Sequence, residues 1–139
     1  RAVAKLGVSV SYDEFFAAYR DVFSLNPPAL EVLIKLRRKY KLVLLSNTDV
    51  VRFAFIKSTF PEILIFDDYV LSFEVGVMKP HPEIYRRALR QAGLEAREAV
   101  FIDDLEENVR GAEAVGLQGI LYQRDMDLEN ELHARGLSC

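Results

Sequence analysis

Ser46 and Asn47 follow the apolar run Leu42-Val43-Leu44-Leu45 and place a hydroxyl and an amide where that run ends. Both side chains can donate hydrogen bonds to an anionic oxygen, such as one of a phosphate group. A structural alternative exists, because Ser and Asn also cap the amino ends of helices and a helix is predicted to begin near Val50. The pair alone favours the cap, and anion binding needs support from other residues.

Lys79 lies in a loop in which Pro80 restricts the backbone beside it and Gly76 allows a sharp turn before it. A lysine held in place there could offset the negative charge of a phosphate and of neighbouring carboxylates. The alternative is a solvent-exposed loop lysine, which in isolation is the commoner case.

Asp103 and Asp104 follow another apolar run, Ala99-Val100-Phe101-Ile102. Two adjacent carboxylates at the end of a buried strand are costly unless a cation or hydrogen-bond donors meet them. Mg²⁺ prefers oxygen ligands, typically one or two carboxylates with waters and a phosphate. We therefore predict that both aspartates are candidate Mg²⁺ ligands, the alternative being that one of them caps the helix starting near Leu105.

The elements that carry these clusters follow from the apolar periodicity. Continuous apolar runs predict four strands, and a spacing of three to four residues predicts helices between them. The strands are expected near 42–45, 69–72, 99–102 and 119–122, and the helices near 12–24, 29–40, 50–58, 82–91 and 106–115, with a polar, helix-like end. The first residues resemble the tail of a helix, and the helix near 29–40 is expected to bury Leu30, Leu33, Ile34 and Leu36.

Strands that alternate with helices predict an α/β fold with a Rossmann-like parallel sheet. Ligands of such sheets bind beyond the carboxyl ends of the strands, where all three polar clusters are expected. The sequence therefore predicts one site that combines Ser46, Asn47, Lys79, Asp103 and Asp104.

Composition excludes some classes of partner. The formal net charge of −3 provides no basic surface for nucleic acid and no polybasic patch for a membrane. The single cysteine, Cys139, allows no intrachain disulfide, which favours a cytoplasmic location.

In this order and spacing, three stretches resemble the haloacid dehalogenase-like hydrolases. Within that family, their sequences look most like those of sugar-phosphate phosphatases and of the N-terminal phosphatase domains of epoxide hydrolases. The stretches are LVLLSN with Ser46, EVGVMKPHPEIY with Lys79, and VFIDDLEENVRGAEAVGL with Asp103 and Asp104. The similarity extends from about residue 29 to 122.

The resemblance implies a Mg²⁺-dependent phosphatase in which an aspartate attacks phosphorus and a second aspartate, two residues later, acts as general acid and base. Ser46 and Lys79 would bind the phosphoryl group of a small phosphorylated metabolite, and Asn47 would contact substrate or a backbone neighbour. Asp104 would ligate Mg²⁺, whereas Asp103 would orient Lys79 or a metal-bound water. These roles suit phosphoryl transfer, where positioning and electrostatic stabilisation dominate.

The sequence departs from the family at its first motif, Asp-x-Asp-x-Thr, which follows the central strand. Asp67-Asp68 lies between the second and third motifs, and Asp125-x-Asp127 follows the last strand, so neither replaces it. The resemblance thus implies that residues 1–26 are the remnant of a helical cap and that residues 27–139 form a core lacking its first strand. We expect either residues upstream of Arg1, or a central position filled by another chain or by rearrangement.

Three functions follow from these observations. The leading one is a Mg²⁺-dependent phosphomonoester hydrolase whose nucleophile segment is missing from the chain. The second is a non-catalytic fragment that binds or dimerises, with self-association through the truncated cap or the open sheet. The third is a 2-haloacid dehalogenase, which Asp104 disfavours because family members with that chemistry need no metal.

Overall fold

The protein is described by a computed structural model, which covers residues 5–9, 27–59, 65–123 and 125–137. Within these residues the chain forms a five-stranded sheet in which all neighbouring strands are parallel, in the order β3-β2-β1-β4-β5. The strands are β1 (Lys5–Ser9), β2 (Leu42–Ser46), β3 (Asp68–Leu71), β4 (Ala99–Asp103) and β5 (Gln118–Leu121). The predicted α/β fold with a Rossmann-like parallel sheet is confirmed.

The helices alternate with the strands as the periodicity predicts. They are α1 (Pro27–Leu36), α2 (Val50–Thr59), the short α3 (Ser72–Val75), α4 (Pro82–Ala92), α5 (Glu106–Val115) and α6 (Leu128–Ala134), with a 3₁₀ turn at Ala96–Glu98. Gly93 and Gly116 end α4 and α5 in the left-handed conformation, with φ of 71° and 107°. Both glycines stand where a side chain would strain the backbone, which explains why the helices stop there.

The apolar runs of β2 and β4 are continuous because both faces of the sheet are covered. Leu42 and Leu44 pack into the core on one face, together with Val100 and Ile102, residues of α1 and residues of α6. The alternate residues of the same strands pack on the other face against α4 and α5. Each strand is therefore fully buried, as parallel strands between helical layers usually are.

The centre of the sheet is occupied by β1, which pairs with β2 on one side and β4 on the other. Leu6 is in register with Leu42, and Val8 with Ile102. The chain's own residues therefore occupy the central position of the sheet in the described structure. The prediction of a helix tail is wrong for Lys5–Ser9, and the core does not lack a strand at this position.

The physical reason lies in the neighbouring strands. Without a central strand, β2 and β4 would each leave unpaired backbone groups in the interior, and any extended segment can satisfy them. A segment of five residues is too short for its side-chain periodicity to reveal this role. The predicted helix near 12–24 lies outside the described residues, and the division at residue 26 remains a prediction.

Helix α1 differs from its prediction in length and in the side it buries. It ends at Leu36, and residues 37–40 form turns rather than continuing the helix. Leu36 is buried as predicted and Leu33 packs partly buried against the core, but Val32 is buried as well and Ile34 is 47% exposed, so the inward side is only partly the predicted one. Periodicity on so short a helix permits both assignments, and packing against β2 and α6 selects one.

Candidate functional site

The three polar clusters meet at the carboxyl edge of the sheet, as the sequence predicts. Ser46 is the last residue of β2 and Asp103 is the last residue of β4. These two strands flank the carboxyl end of β1, since Ser9 is in register with Leu45 and Val8 with Ile102. Lys79 reaches the same place from the loop between α3 and α4.

Lys79 is a buried residue, only 3% exposed. Its ammonium Nζ lies 3.1 Å from the carboxylate Oδ2 of Asp103 and donates a hydrogen bond of 3.2 Å to the backbone oxygen of Leu45. Because these partners belong to β4 and β2, the lysine connects the two strands beyond the end of β1. The alternative of a solvent-exposed loop lysine is wrong.

The Lys79 loop is held by the strand end beside it. The side-chain amide of Asn47 accepts a hydrogen bond from the backbone N–H of Lys79 at 2.9 Å and donates one to its backbone oxygen at 3.2 Å. Thr48 makes a similar reciprocal pair with the hydroxyl of Ser72, with both distances 2.9 Å. Asn47 is thus a clamp on the Lys79 backbone, which matches the backbone alternative predicted for it.

Asp103 is completely surrounded by donors. Its Oδ2 accepts hydrogen bonds from Lys79 and from the amide of Asn108, each at 3.1 Å, and its Oδ1 accepts one from the backbone N–H of Leu105 at 3.0 Å. The side chains of Asp103 and Lys79 are both fully buried. An ion pair in such surroundings needs these extra hydrogen bonds to compensate for the loss of water.

The electrostatics of Lys79 reflect its position. Burial lowers the pKa of Lys79 from its ordinary value to about 8, and the adjacent carboxylate of Asp103 opposes this change. The amine therefore retains its proton at neutral pH while having little water around it. A charge in such a place acts more strongly on a bound anion than one in solvent.

Asp104 lies beside this pair but differs from Asp103 in having an incomplete environment. Its Oδ1 is buried and has no hydrogen-bond partner among the described residues. Burial raises the pKa of the Asp104 carboxyl, and a backbone hydrogen bond partly opposes the rise. A buried carboxylate oxygen without a donor is costly, and a cation at that position would remove the cost.

The side chains present fit a Mg²⁺ ion rather than a metal bound entirely by protein. No group of three or more His, Cys, Asp or Glu side chains suited to a metal occurs in the described part of the chain. Mg²⁺ commonly uses one or two carboxylates and completes its shell with waters and phosphate oxygens. The Asp104 oxygen that has no partner within the described ranges suits such a site, whereas both oxygens of Asp103 already have donors.

Three of the four aspartates in the rejected pairs have hydrogen-bond partners outside the network of Lys79 and Asp103. Asp67 accepts a hydrogen bond from the backbone N–H of Leu42, at the amino end of β2, and Asp68 accepts one from the side chain of Gln91. Asp127 caps α6 by accepting from the backbone N–H of Asn130 at 3.0 Å. The structure agrees with their rejection as nucleophiles, and the sequence of β1 itself, KLGVS, contains no carboxylate.

Sequence reasoning missed two residues that belong to this network. Asn108 on α5 donates to Asp103, and the hydroxyl of Tyr85 on α4 donates to the backbone oxygen of Asn108 at 2.7 Å. The available signal was an amide at an inward position of α5, between Leu105 and Val109. It was overlooked because a lone asparagine in a helix otherwise resembles a surface residue.

None of the helices in the described ranges is both long and apolar enough to cross a membrane.

Comparison with known sequences identifies a family and several relatives. The family model for haloacid dehalogenase-like hydrolases matches residues 2–116. A glyceraldehyde 3-phosphate phosphatase of Pyrococcus abyssi is 33% identical over 125 residues, which are 84% of this chain and 48% of that protein. Bifunctional epoxide hydrolase 2 of Mus musculus is 25% identical over 134 residues, 93% of this chain and 24% of that protein. The chain spans half or less of the length of these relatives.

Solved structures share the fold. A HAD family enzyme of Bacteroides thetaiotaomicron, in complex with magnesium and inorganic phosphate, has a TM-score of 0.70 at 20% identity, with 94% of this chain and 99% of that chain covered. A protein from Corynebacterium glutamicum has a TM-score of 0.68 at 26% identity, with 96% of each chain covered. Since the family model matches most of the sequence and the fold agrees, this chain belongs to the haloacid dehalogenase-like hydrolases.

Proposed function

We propose that this chain supplies the phosphate- and metal-binding part of a Mg²⁺-dependent phosphomonoester hydrolase that works through a phosphoaspartate. The observation that carries the proposal is the arrangement of Asp103 and Asp104 beside buried Lys79. Asp103 accepts hydrogen bonds at both oxygens, whereas Asp104 has a buried oxygen without a partner in the described part of the chain. A divalent cation would offset the charge of the Asp104 carboxylate, and its remaining positive charge would favour a bound phosphate anion.

The phosphoryl group is held by Ser46 and Lys79 in this proposal. Ser46 is buried at the end of β2, next to Leu45, whose backbone oxygen binds the Lys79 ammonium. A hydroxyl donor and an ammonium that face the same oxygen atoms stabilise the charge that spreads over them during transfer. Asn47 contributes indirectly, because its amide fixes the Lys79 backbone.

The metal would be held by Asp104, with waters and a phosphate oxygen as its other ligands. When bound, Mg²⁺ neutralises part of the negative charge on the transferring group. Asp103 was predicted as a second ligand, but its three hydrogen bonds favour the other predicted role, in which it orients Lys79.

The nucleophile is the part of the mechanism that β1 does not provide. The family mechanism needs an aspartate at the carboxyl end of the central strand, where this chain has the segment KLGVS. Turnover therefore requires an aspartate from outside β1. Without one, the same edge would bind phosphate and Mg²⁺ but leave the ester bond intact, as in the alternative of a non-catalytic binding domain.

The substrate class is proposed as a small phosphorylated metabolite. Relatives named glyceraldehyde 3-phosphate phosphatase support it, although this chain spans only 48% of the Pyrococcus abyssi protein. The 2-haloacid dehalogenase alternative is disfavoured by Asp104, since a reaction without metal gains nothing from a buried, unpaired carboxylate oxygen. The cytoplasmic location stays a prediction from the single cysteine.

The proposal is tested by titrating the protein with Mg²⁺ in an isothermal calorimeter, with and without orthophosphate. Asp104→Asn should weaken Mg²⁺ binding about tenfold or more, because the ligand charge is lost. The matched control is Asp125→Asn, since Asp125 is an exposed aspartate outside the site. Equal Mg²⁺ affinity in the wild type and in Asp104→Asn would contradict the assigned metal site.

Hydrolysis of p-nitrophenyl phosphate, measured with and without Mg²⁺, then separates the two functional alternatives. Mg²⁺-dependent turnover that Asp104→Asn abolishes would support the hydrolase. Binding of both ions without any turnover would support a binding domain instead.

A further inference from the structure

Asn108 shares an acceptor with the site's lysine. Its side-chain amide donates to Asp103 Oδ2 at 3.1 Å, and the Lys79 ammonium lies 3.1 Å from the same oxygen. Asn108 is itself only 2% exposed, so it has no route to solvent or to a bound ligand. Its amide therefore helps to orient the Asp103 carboxylate, together with the backbone N–H of Leu105, which donates to Oδ1.

Tyr85 holds Asn108 from the other side. The Tyr85 hydroxyl donates to the backbone oxygen of Asn108 at 2.7 Å, and its ring is fully buried. The ring also packs edge-on against Phe101 of β4, with ring centroids 5.2 Å apart and an interplanar angle of 90°. Tyr85 thus fixes α5 relative to the strand that ends in Asp103.

The close approach of these elements depends on Gly111 of α5. A Cβ atom at this position would lie 2.8 Å from Pro80 Cβ, 2.9 Å from the Pro80 backbone oxygen and 3.0 Å from the Tyr85 hydroxyl. Pro80 directly follows Lys79, so α5 contacts the lysine loop and the tyrosine at one point. The helix α5 therefore contacts both partners' surroundings: Gly111 lies against Pro80, next to Lys79, and Asn108 donates to Asp103.

Resting on the function proposed above, we infer that Asn108 and Tyr85 are positioning residues for phosphate binding, which act through Asp103 and Lys79 without touching the ligand. Asn108 keeps Asp103 Oδ2 directed at the lysine. Tyr85 holds the backbone of Asn108 in place through its hydroxyl group. Asn108 donates to Asp103 rather than to Asp104, whose Oδ1 has no hydrogen-bond partner among the described residues. The network therefore affects the phosphate part of the site more than the metal part.

A purely structural role for Asn108 makes a different prediction. If the amide only stabilises the fold, its removal lowers the free energy of unfolding and changes both affinities alike or neither. If it positions the lysine, phosphate affinity falls while Mg²⁺ affinity, measured without phosphate, is retained. The ratio of the two affinities is therefore the informative quantity.

The experiment compares wild type, Asn108→Ala and Tyr85→Phe, with Asn130→Ala as the matched control because Asn130 is exposed on α6. Calorimetry measures the Kd of Mg²⁺ alone and the Kd of orthophosphate at saturating Mg²⁺, and circular dichroism checks folding. We expect Asn108→Ala to weaken orthophosphate binding about tenfold, with the Mg²⁺ Kd within about twofold of wild type. Tyr85→Phe, which removes only a hydroxyl, should weaken orthophosphate binding about threefold.

Each outcome decides one point. Orthophosphate binding that is unchanged in both folded variants overturns the positioning role while the proposed function stands. Equal losses of phosphate and Mg²⁺ affinity also overturn it, in favour of a structural role. Failure of the wild type to bind orthophosphate overturns the proposed function, and with it the positioning role that rests on it. If Asn108→Ala does not fold, the milder Tyr85→Phe variant decides the question alone.

Discussion

Asp103 and Asp104 are adjacent and chemically identical, yet they lie in opposite kinds of environment. Asp103 faces the interior and accepts hydrogen bonds from Lys79, Asn108 and the backbone of Leu105. Asp104 has a buried oxygen without a partner among the described residues, and burial raises the pKa of its carboxyl. The strand β4 ends at Asp103, so only the first of the two carboxylates belongs to the strand.

The difference shows how one strand end can combine two functions. The inward carboxylate is completed by protein donors, so it stabilises the fold and orients the lysine. The Asp104 carboxylate has a buried oxygen without a partner among the described residues, and in the proposed function a cation completes it. Substitution of Asp103 should therefore lower mainly the free energy of unfolding, whereas substitution of Asp104 should lower mainly the affinity for Mg²⁺.

The largest expected effect comes from neutralising each aspartate in turn. Asp103→Asn should lower the free energy of unfolding by about 3–5 kcal/mol, because it leaves the Lys79 ammonium buried without its anion. Asp104→Asn should leave the free energy of unfolding unchanged or raise it by up to about 1 kcal/mol, because the carboxylate that it removes has a buried oxygen without a partner among the described residues. Urea denaturation without Mg²⁺ measures both, and Asp125→Asn again serves as the control.

Equal destabilisation by the two substitutions would contradict the proposed difference between Asp103 and Asp104. It would mean that Asp104 has a partner that matters for the fold, and the case for a metal at its free oxygen would then be lost.

A smaller effect is expected where α5 meets the lysine loop. Gly111→Ala should lower the free energy of unfolding by about 1–3 kcal/mol, since the added methyl group would lie 2.8 Å from Pro80 Cβ. Helix propensity alone would predict a gain of about 1 kcal/mol for this substitution. The sign of the change in urea denaturation therefore distinguishes close packing from propensity, and Ala114→Gly at an exposed position of α5 calibrates the propensity.

The smallest expected effect is a pH dependence at Tyr85. Burial, followed by the charges of Asp103 and Glu107, raises the pKa of the Tyr85 phenol. An unfolded tyrosine ionises near about pH 10, so above that pH the unfolded state loses a proton that the folded state retains. The stability contributed by the phenol is therefore complete below about pH 10 and declines as the pH rises further.

Tyr85→Phe isolates this contribution. The variant should be less stable than wild type by about 1 kcal/mol at neutral pH, through loss of the hydrogen bond to Asn108. The difference should narrow above about pH 10, because phenylalanine does not ionise. Denaturation curves from pH 7 to 11 measure it, and a difference that stays constant would show that the phenol ionises as readily in the folded protein as in the unfolded one.

Most of the sheet could be predicted from the sequence because β2 and β4 are buried on both faces. Burial of this kind requires a continuous apolar run, and such a run is visible without any knowledge of the fold. Gly93 and Gly116 were equally predictable, since few other residues end a helix in the left-handed conformation. By contrast, the role of Lys5–Ser9 depends on open edges provided by residues about 40 and 100 positions later, which no local pattern records.

The site residues were predictable as a set because Ser46, Lys79 and the two aspartates stand at the ends of strands or in the loop between them. The role of each individual residue was harder to predict from the sequence. Asn47 could bind substrate or backbone until its reciprocal bonds with Lys79 were known. Asn108 has no distinctive neighbours in the sequence, and its importance follows only from the position of Asp103.

By itself the sequence determined the fold class, the order of the elements and the edge at which the polar residues gather, because these depend on local apolar patterning and on the direction of parallel strands. Only the tertiary structure decided which carboxylate is satisfied, which donor satisfies it and which residues occupy the centre of the sheet. These outcomes depend on contacts between distant segments, where each hydrogen bond is made or left open by the packing of the whole domain.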